Sequence, residues 1–282
     1  MAGVQPSFDS LGPADPASPV VLSVPHAGRD YPPELLAALR VPRSALLPLE
    51  DRHVDTLARA ALGGETMLVA RHPRAWIDLN RAERERDPRI DEGAAASVTP
   101  ILSPRVRGGL GLVPRRAAAG VDLWGRRWRD AEVAARIAVD HRPYHAALAQ
   151  ALAAARARFG VAVLLDIHSM PPLVGADVAR LVIGDRFGRT ASTRFVGRIE
   201  GCARAFGLTV GRNSPYAGGH ILERHAAPGK GLHAIQLEID RSLYLDAALD
   251  MPGPGFDRTA ALLRTIISAI ADEALPASIA AE

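Results

Sequence analysis

With 282 residues, 48% of them hydrophobic and 23% charged, the chain has the length and balance of one large soluble α/β domain. Its isoelectric point of about 9.5 invites a polyanionic partner, yet Lys230 is the only lysine, the arginines are spread among 31 acids, and aromatic residues are 5%; no phosphate-tracking face or base-stacking platform stands out, and nucleic-acid binding is not expected. The single cysteine, Cys202, excludes an internal disulfide and a cysteine-rich metal site. No apolar run approaches the ~20 residues of a membrane span, so a cytoplasmic protein without membrane partners is expected.

In chain order, the leader 1–18 is rich in Pro, Ser and Asp and should be loosely held. An apolar strand, Val20–Val24, then ends in Pro25, His26, Ala27 and Gly28. An imidazole at the carboxyl end of a buried strand is a candidate ligand or a plain turn residue, and Gly28 would let the backbone turn. A short helix is expected over 33–39 and a second over 51–62, where Asp51 and Asp55 would share one face. Either acid could complement the helix dipole, or one could complete a metal site.

A strand at Thr66–Ala70 precedes WIDLNR, in which Asn80 and Arg81 form an amide and guanidinium pair suited to an oxyanion, or a structural ion pair. Residues 82–128 show no sustained period and read as an insertion with short pieces of structure. A long helix over 130–158 leads through Gly160 to a strand over 161–167, which opens into LLDIHSM with Asp166, His168 and Ser169. Alternation puts Asp166 and His168 on one face, so the acid can set the imidazole tautomer.

A strand over 180–184, a helix over 189–206, the paired glycines of NSPYAGGHILERH, a strand over 233–239 and a helix over 257–274 complete the chain. Gln236, Glu238 and Asp240 share a face of that last strand. An acid within an apolar strand is costly unless it has a partner or a task. Alternating strands and helices predict a three-layer α/β fold, with a mostly parallel mixed sheet and helices on both faces. After the leader, 19–282 is expected to form one α/β domain carrying the 82–128 insertion.

Taken in order, SVPHAG, LEDRHVDTL, IDLNR, PYH, LLDIHSM, NSPYAGGHI and HAIQLEIDRSLY resemble the N-formylglutamate amidohydrolase family, over roughly 23–244. The same order is similar to that of zinc carboxypeptidases, whose fold the family is thought to share. The resemblance implies a Zn(2+) site of His26, Asp51 and His168, with Asp55 as the alternative carboxylate, and Glu238 as the catalytic base. It also implies a small anionic N-acyl amino acid as substrate, gripped by Asn80 and Arg81, with Ser169, Arg212, Asn213 and Arg241 nearby. Two departures stand out. Arg29 occupies the place where zinc carboxypeptidases keep an acid, and Ala217 stands where family members associated with formylglutamate carry a lysine.

Overall fold

The computed structural model describes residues 7–95, 103–117 and 120–275. Its centre is a seven-stranded sheet of order β1-β3-β2-β4-β7-β5-β6. The strands are β1 (Phe8–Leu11), β2 (Val20–Val24), β3 (Thr66–Ala70), β4 (Ala162–Met170), β5 (Leu181–Gly184), β6 (Val210–Arg212) and β7 (Leu232–Asp240). β2, β4 and β7 run parallel, and β5 joins β7 antiparallel, so the sheet is mixed as expected.

Every residue of β2 and β4 is buried. That is why the sequence shows near-continuous apolar runs there rather than a half-polar alternation. The helices Val54–Ala61 and Phe256–Ala274 pack on β2 and β4, and Phe256–Ala274 also packs on Thr193–Ala205. The apolar residues of Phe256–Ala274 recur at helical spacing, Leu262, Leu263, Ile266, Ile267 and Ile270 being buried.

By contact, the chain groups into two compact units. The first comprises Met1–Asp9, Pro25–Asp51 and Val69–Ala147; the second comprises Ser10–Val24, Arg52–Leu68 and Leu148–Glu282. The 82–128 segment lies within the first. Among its described residues are one-turn helices at Glu92–Ala95 and Pro104–Arg107. It is held by polar pairs rather than by a periodic apolar face: Arg86 binds Asp91, and Arg115 binds both Asp87 and Asp122. Arg136 stacks between Trp76 and Trp128, at 3.6 and 3.8 Å from the ring centroids.

Several local expectations change. Residues 8–11 of the leader form β1, anchored by the buried Phe8, so only part of that segment lies outside the sheet. β6 escaped notice because three residues carry no period. The helix expected over 51–62 begins only at Val54, since His53 adopts a left-handed backbone (φ 53°). Asp51 therefore precedes the helix, and the shared-face argument for Asp51 and Asp55 fails. The helix expected over 130–158 contains a π-turn, Ile137–His141, between Asp130–Arg136 and Arg142–Phe159.

One buried ion pair in the second unit ties the helix Phe256–Ala274 to the entry of β3. Arg264 Nη1 and Nη2 donate to Glu65 at 2.8 and 2.7 Å, and the Gly63 amide adds a third bond. Burial alone would raise the Glu65 carboxyl; the Arg264 fork and the Gly63 amide outweigh it and hold the group below its usual range. A depressed carboxyl stabilises the fold above about pH 4.5, and the benefit is lost as pH falls through its folded value. Arg264→Leu should cost about 2 kcal/mol at neutral pH, at the low end for a broken buried pair because Arg264 is 32% exposed. Urea unfolding at pH 7 and pH 4 should show that deficit shrink on acidification.

Candidate active site

In the first unit, the polar centre is built around Asp78, whose carboxylate is wholly buried. Its Oδ1 pairs with His26 Nε2 at 2.8 Å and accepts from the Asn80 amide at 2.8 Å. Its Oδ2 accepts from Arg74 Nε at 2.8 Å and lies 3.7 Å from Arg81 Nη2. Burial would raise this carboxyl, but the charges of Arg74 and Arg81 and the hydrogen bond to His26 hold it well below the ordinary carboxylate range. An ionised Asp78 makes His26 Nε2 the protonated nitrogen, which assigns the lone pair to Nδ1.

His26 Nδ1 faces Asp51 Oδ2 at 3.7 Å, and the Asp51 amide donates to the His26 carbonyl at 3.0 Å. Two segments distant in sequence are thus brought together, and both side chains are buried. Asp55 is instead the partly exposed acid of a helical first turn, where it complements the dipole. The neighbouring Gly28 is explained by close packing: a Cβ there would lie 2.1 Å from the His72 carbonyl oxygen. Its expected role as a turn residue gives way to that contact.

Arg81 is 4% exposed. Its Nε donates to the Leu110 carbonyl and its Nη1 to that of Asn80, both at 2.8 Å. Burial first, eased by Asp78, moves its pKa down to about 10, so it remains a cation at neutral pH. His145 and His141 brace this corner through their Nε2 atoms, on the Leu79 carbonyl at 3.0 Å and the Arg81 carbonyl at 2.8 Å. His141 closes the π-turn, a helical irregularity found often at functional sites. Of the pair, only His145 falls within the PYH run; His141 stands four residues before His145.

In the second unit, the parallel registers set a polar face. Ser23 pairs with Asp166 across β2 and β4, Asp166 with Gln236 across β4 and β7, and His168 with Glu238 one step further on. Residues in register on parallel strands point to the same side, and alternation keeps Asp166 with His168. Nearer the strand starts the same face holds Leu164 and Ala234, so it turns from apolar to polar toward the carboxyl ends. His168 lies inside β4, which continues to Met170, rather than in an exit loop.

Asp166 is wholly buried and doubly satisfied: Ser23 Oγ donates to Oδ1 at 2.8 Å, and His168 Nε2 pairs with Oδ2 at 2.9 Å. The expected support of His168 by Asp166 is therefore present as a hydrogen bond. Ser23, which carried no role in the sequence reading, completes it. Glu238 is buried and its Oε1 accepts from Gln236 Nε2 at 2.8 Å.

The remaining expected substrate contacts divide. Ser169 and Arg241 bond each other, Nε to Oγ at 3.1 Å, and alternation turns Ser169 away from the His168 face. Asn213, with a left-handed backbone (φ 57°), braces the turn after β5: its Oδ1 accepts from the amides of Asp185 and Phe187, and its Nδ2 donates to Asp185. Arg212 lies on edge strand β6, half exposed, and forks onto Glu200. Its guanidinium thus has a structural partner in Glu200. The segment leading into the paired glycines packs closely on β5, since a Cβ on Gly184 would lie 2.8 Å from the Ala217 carbonyl carbon and 2.9 Å from the Gly218 nitrogen.

The family model for N-formylglutamate amidohydrolase matches residues 18–245. N-formylglutamate deformylase of Pseudomonas aeruginosa is 30% identical over 237 residues, 81% of this chain and 82% of that protein. The N-formylglutamate deformylase of Pseudomonas putida is likewise 30% identical, over 239 residues, with the same shares. Among solved structures, N-formylglutamate amidohydrolase from Ralstonia eutropha JMP134 superposes with a TM-score of 0.83 at 34% identity, covering 95% of this chain and 97% of that one. A structure from Agrobacterium tumefaciens, 20% identical with a TM-score of 0.67 and covering 95% of this chain and 96% of that one, shares the fold. The chain belongs to the N-formylglutamate amidohydrolase family.

Proposed function

We propose that the protein is a zinc-dependent amidohydrolase that cleaves the formyl amide of N-formyl-L-glutamate, giving formate and glutamate. The observation that carries this reading is the in-register pair of His168 and Glu238 at the carboxyl ends of neighbouring buried strands, in a chain whose named relatives are deformylases. The expected metal ligands, His26, Asp51 and His168, are all buried and supply two imidazoles and a carboxylate, a donor set of hydrolytic zinc sites. Both imidazoles carry a buried carboxylate on Nε2, the outer-shell support such ligands have. Ligation would then fall to Nδ1 of each.

Zinc bound there would polarise the formyl oxygen and lower the pKa of water toward ~7. The Glu238 carboxylate takes a proton from the attacking water and delivers it to the departing amide nitrogen, as base and then as acid. Gln236 fixes the plane of that carboxylate through Oε1. Arg81, buried and charged, forks onto a substrate carboxylate with Asn80 beside it. Arg241, just past the end of β7, is the candidate for the second carboxylate of a glutamyl substrate. No helix of the described residues is long and apolar enough to cross a membrane, and the expected partner is a small anionic substrate.

Ala217, where a lysine was anticipated, favours a second reading: the same chemistry on another N-acyl amino acid. Formate or acid release from a panel of N-formyl, N-acetyl and dipeptide substrates separates the two. Preference for an N-acetyl or peptide substrate over N-formyl-L-glutamate would select the second.

Glu238→Gln should lower kcat by roughly 10²–10⁴ with metal content unchanged; loss of the metal instead would make Glu238 a ligand. Arg81→Met should reduce kcat/KM by roughly thirtyfold or more, corresponding to about 2 kcal/mol from a buried charged contact, and KM should carry most of the change. Asp78→Asn keeps the shape but removes the charge that fixes His26. Metal affinity should fall roughly 10–100-fold, measured by competition with a chromophoric chelator.

A further inference from the structure

The first unit contains a cavity of about 290 Å³ whose lining includes Arg40, Arg89, Arg115, Arg126 and Arg127 against a single carboxylate, Asp122. None of the groups assigned above to metal, base or substrate carboxylate lines it. The ion pairs around it do not neutralise it. Arg115 uses Nε on Asp87 and Nη1 on Asp122, Arg126 forks onto Glu132, and Arg127 Nη2 reaches only the carbonyls of Pro88 and Asp91.

Among the described residues, Arg40 and Arg89 have no side-chain ion pair or hydrogen bond, and Arg115 Nη2 is buried without a partner. Counting Asp87 and Glu132 with Asp122, five guanidinium groups meet three carboxylates. A buried cation with an unmet donor is costly, and concentrated positive charge in a concave site raises local anion concentration. Guanidinium forks match the paired oxygens of phosphate and carboxylate.

We propose that this cavity binds a small, multiply charged oxyanion at a site separate from the hydrolytic one. The shared chemistry is two or more anionic oxygens within reach of several guanidinium groups, which both an inorganic phosphate and a short dicarboxylate offer. Trp124, on the cavity wall and edge-to-face with Trp128 at 5.1 Å between ring centroids, is a built-in reporter.

The test is calorimetric titration of the full-length, metal-loaded protein with inorganic phosphate, pyrophosphate and glutarate in separate arms, with tryptophan fluorescence followed in parallel. Saturable binding of at least one anion is expected, weakened at least tenfold in Arg40→Ala/Arg89→Ala, a pair of exposed side chains whose loss leaves the buried ion pairs intact. A phosphate or pyrophosphate response identifies the phosphate class, and a glutarate response alone identifies the carboxylate class. Absence of saturation in all three arms overturns the site, as does binding that the double substitution leaves unchanged.

Discussion

Two carboxylates with no solvent exposure, one in each unit, organise the candidate site residues around them, and each is held in place by what it must hold. An isolated buried carboxylate is costly enough that it must be matched by donors or become protonated. Asp78 meets that constraint with Arg74, Arg81, His26 and the Asn80 amide. Asp166 meets it with Ser23 and His168. In both cases an imidazole Nε2 becomes a fixed donor, so ring orientation and tautomer follow from the burial of the acid. Asp78 also keeps the Arg81 cation in an apolar interior, and the position of a substrate carboxylate would follow from that.

The sheet explains why such groups collect where they do. Along β4 and β7 one face is apolar at the strand starts and polar at the ends, with the change falling between Leu164 and Asp166 on one strand and between Ala234 and Gln236 on the other. Parallel register keeps these changes level. The strands can therefore pack a continuous core for most of their length and present His168 beside Glu238 at the carboxyl ends, where open α/β sheets bind ligands. Rigid strands hold such groups more tightly than loops do.

Much of this was legible in the sequence, because buried strands announce themselves as apolar runs. β2 and β3 fall on their expected residues, and the acid and imidazole of LLDIHSM lie on one face as alternation requires. What escaped depended on contacts distant in sequence or on backbone conformation. Asp78 was one polar letter in WIDLNR until folding set it against His26, 52 residues away. His53 has no sequence feature that demands a left-handed backbone, yet that conformation separates Asp51 from the helix and decides which acid approaches His26. The partners of Arg212 and Asn213, Glu200 and Asp185, were likewise not legible, because each lies more than ten residues away in the chain. The 82–128 segment lacked a period because arginine pairs and edge-to-face tryptophans, rather than an amphipathic face, hold it together.

The central claim is that His26, Asp51 and His168 carry the metal on which amide hydrolysis depends. The most direct measurement is formate release from N-formyl-L-glutamate before and after removal of metal with a chelator, with the metal content of each sample determined. Turnover should disappear with the metal and return on addition of stoichiometric zinc. Undiminished formate release from metal-free protein would contradict the claim.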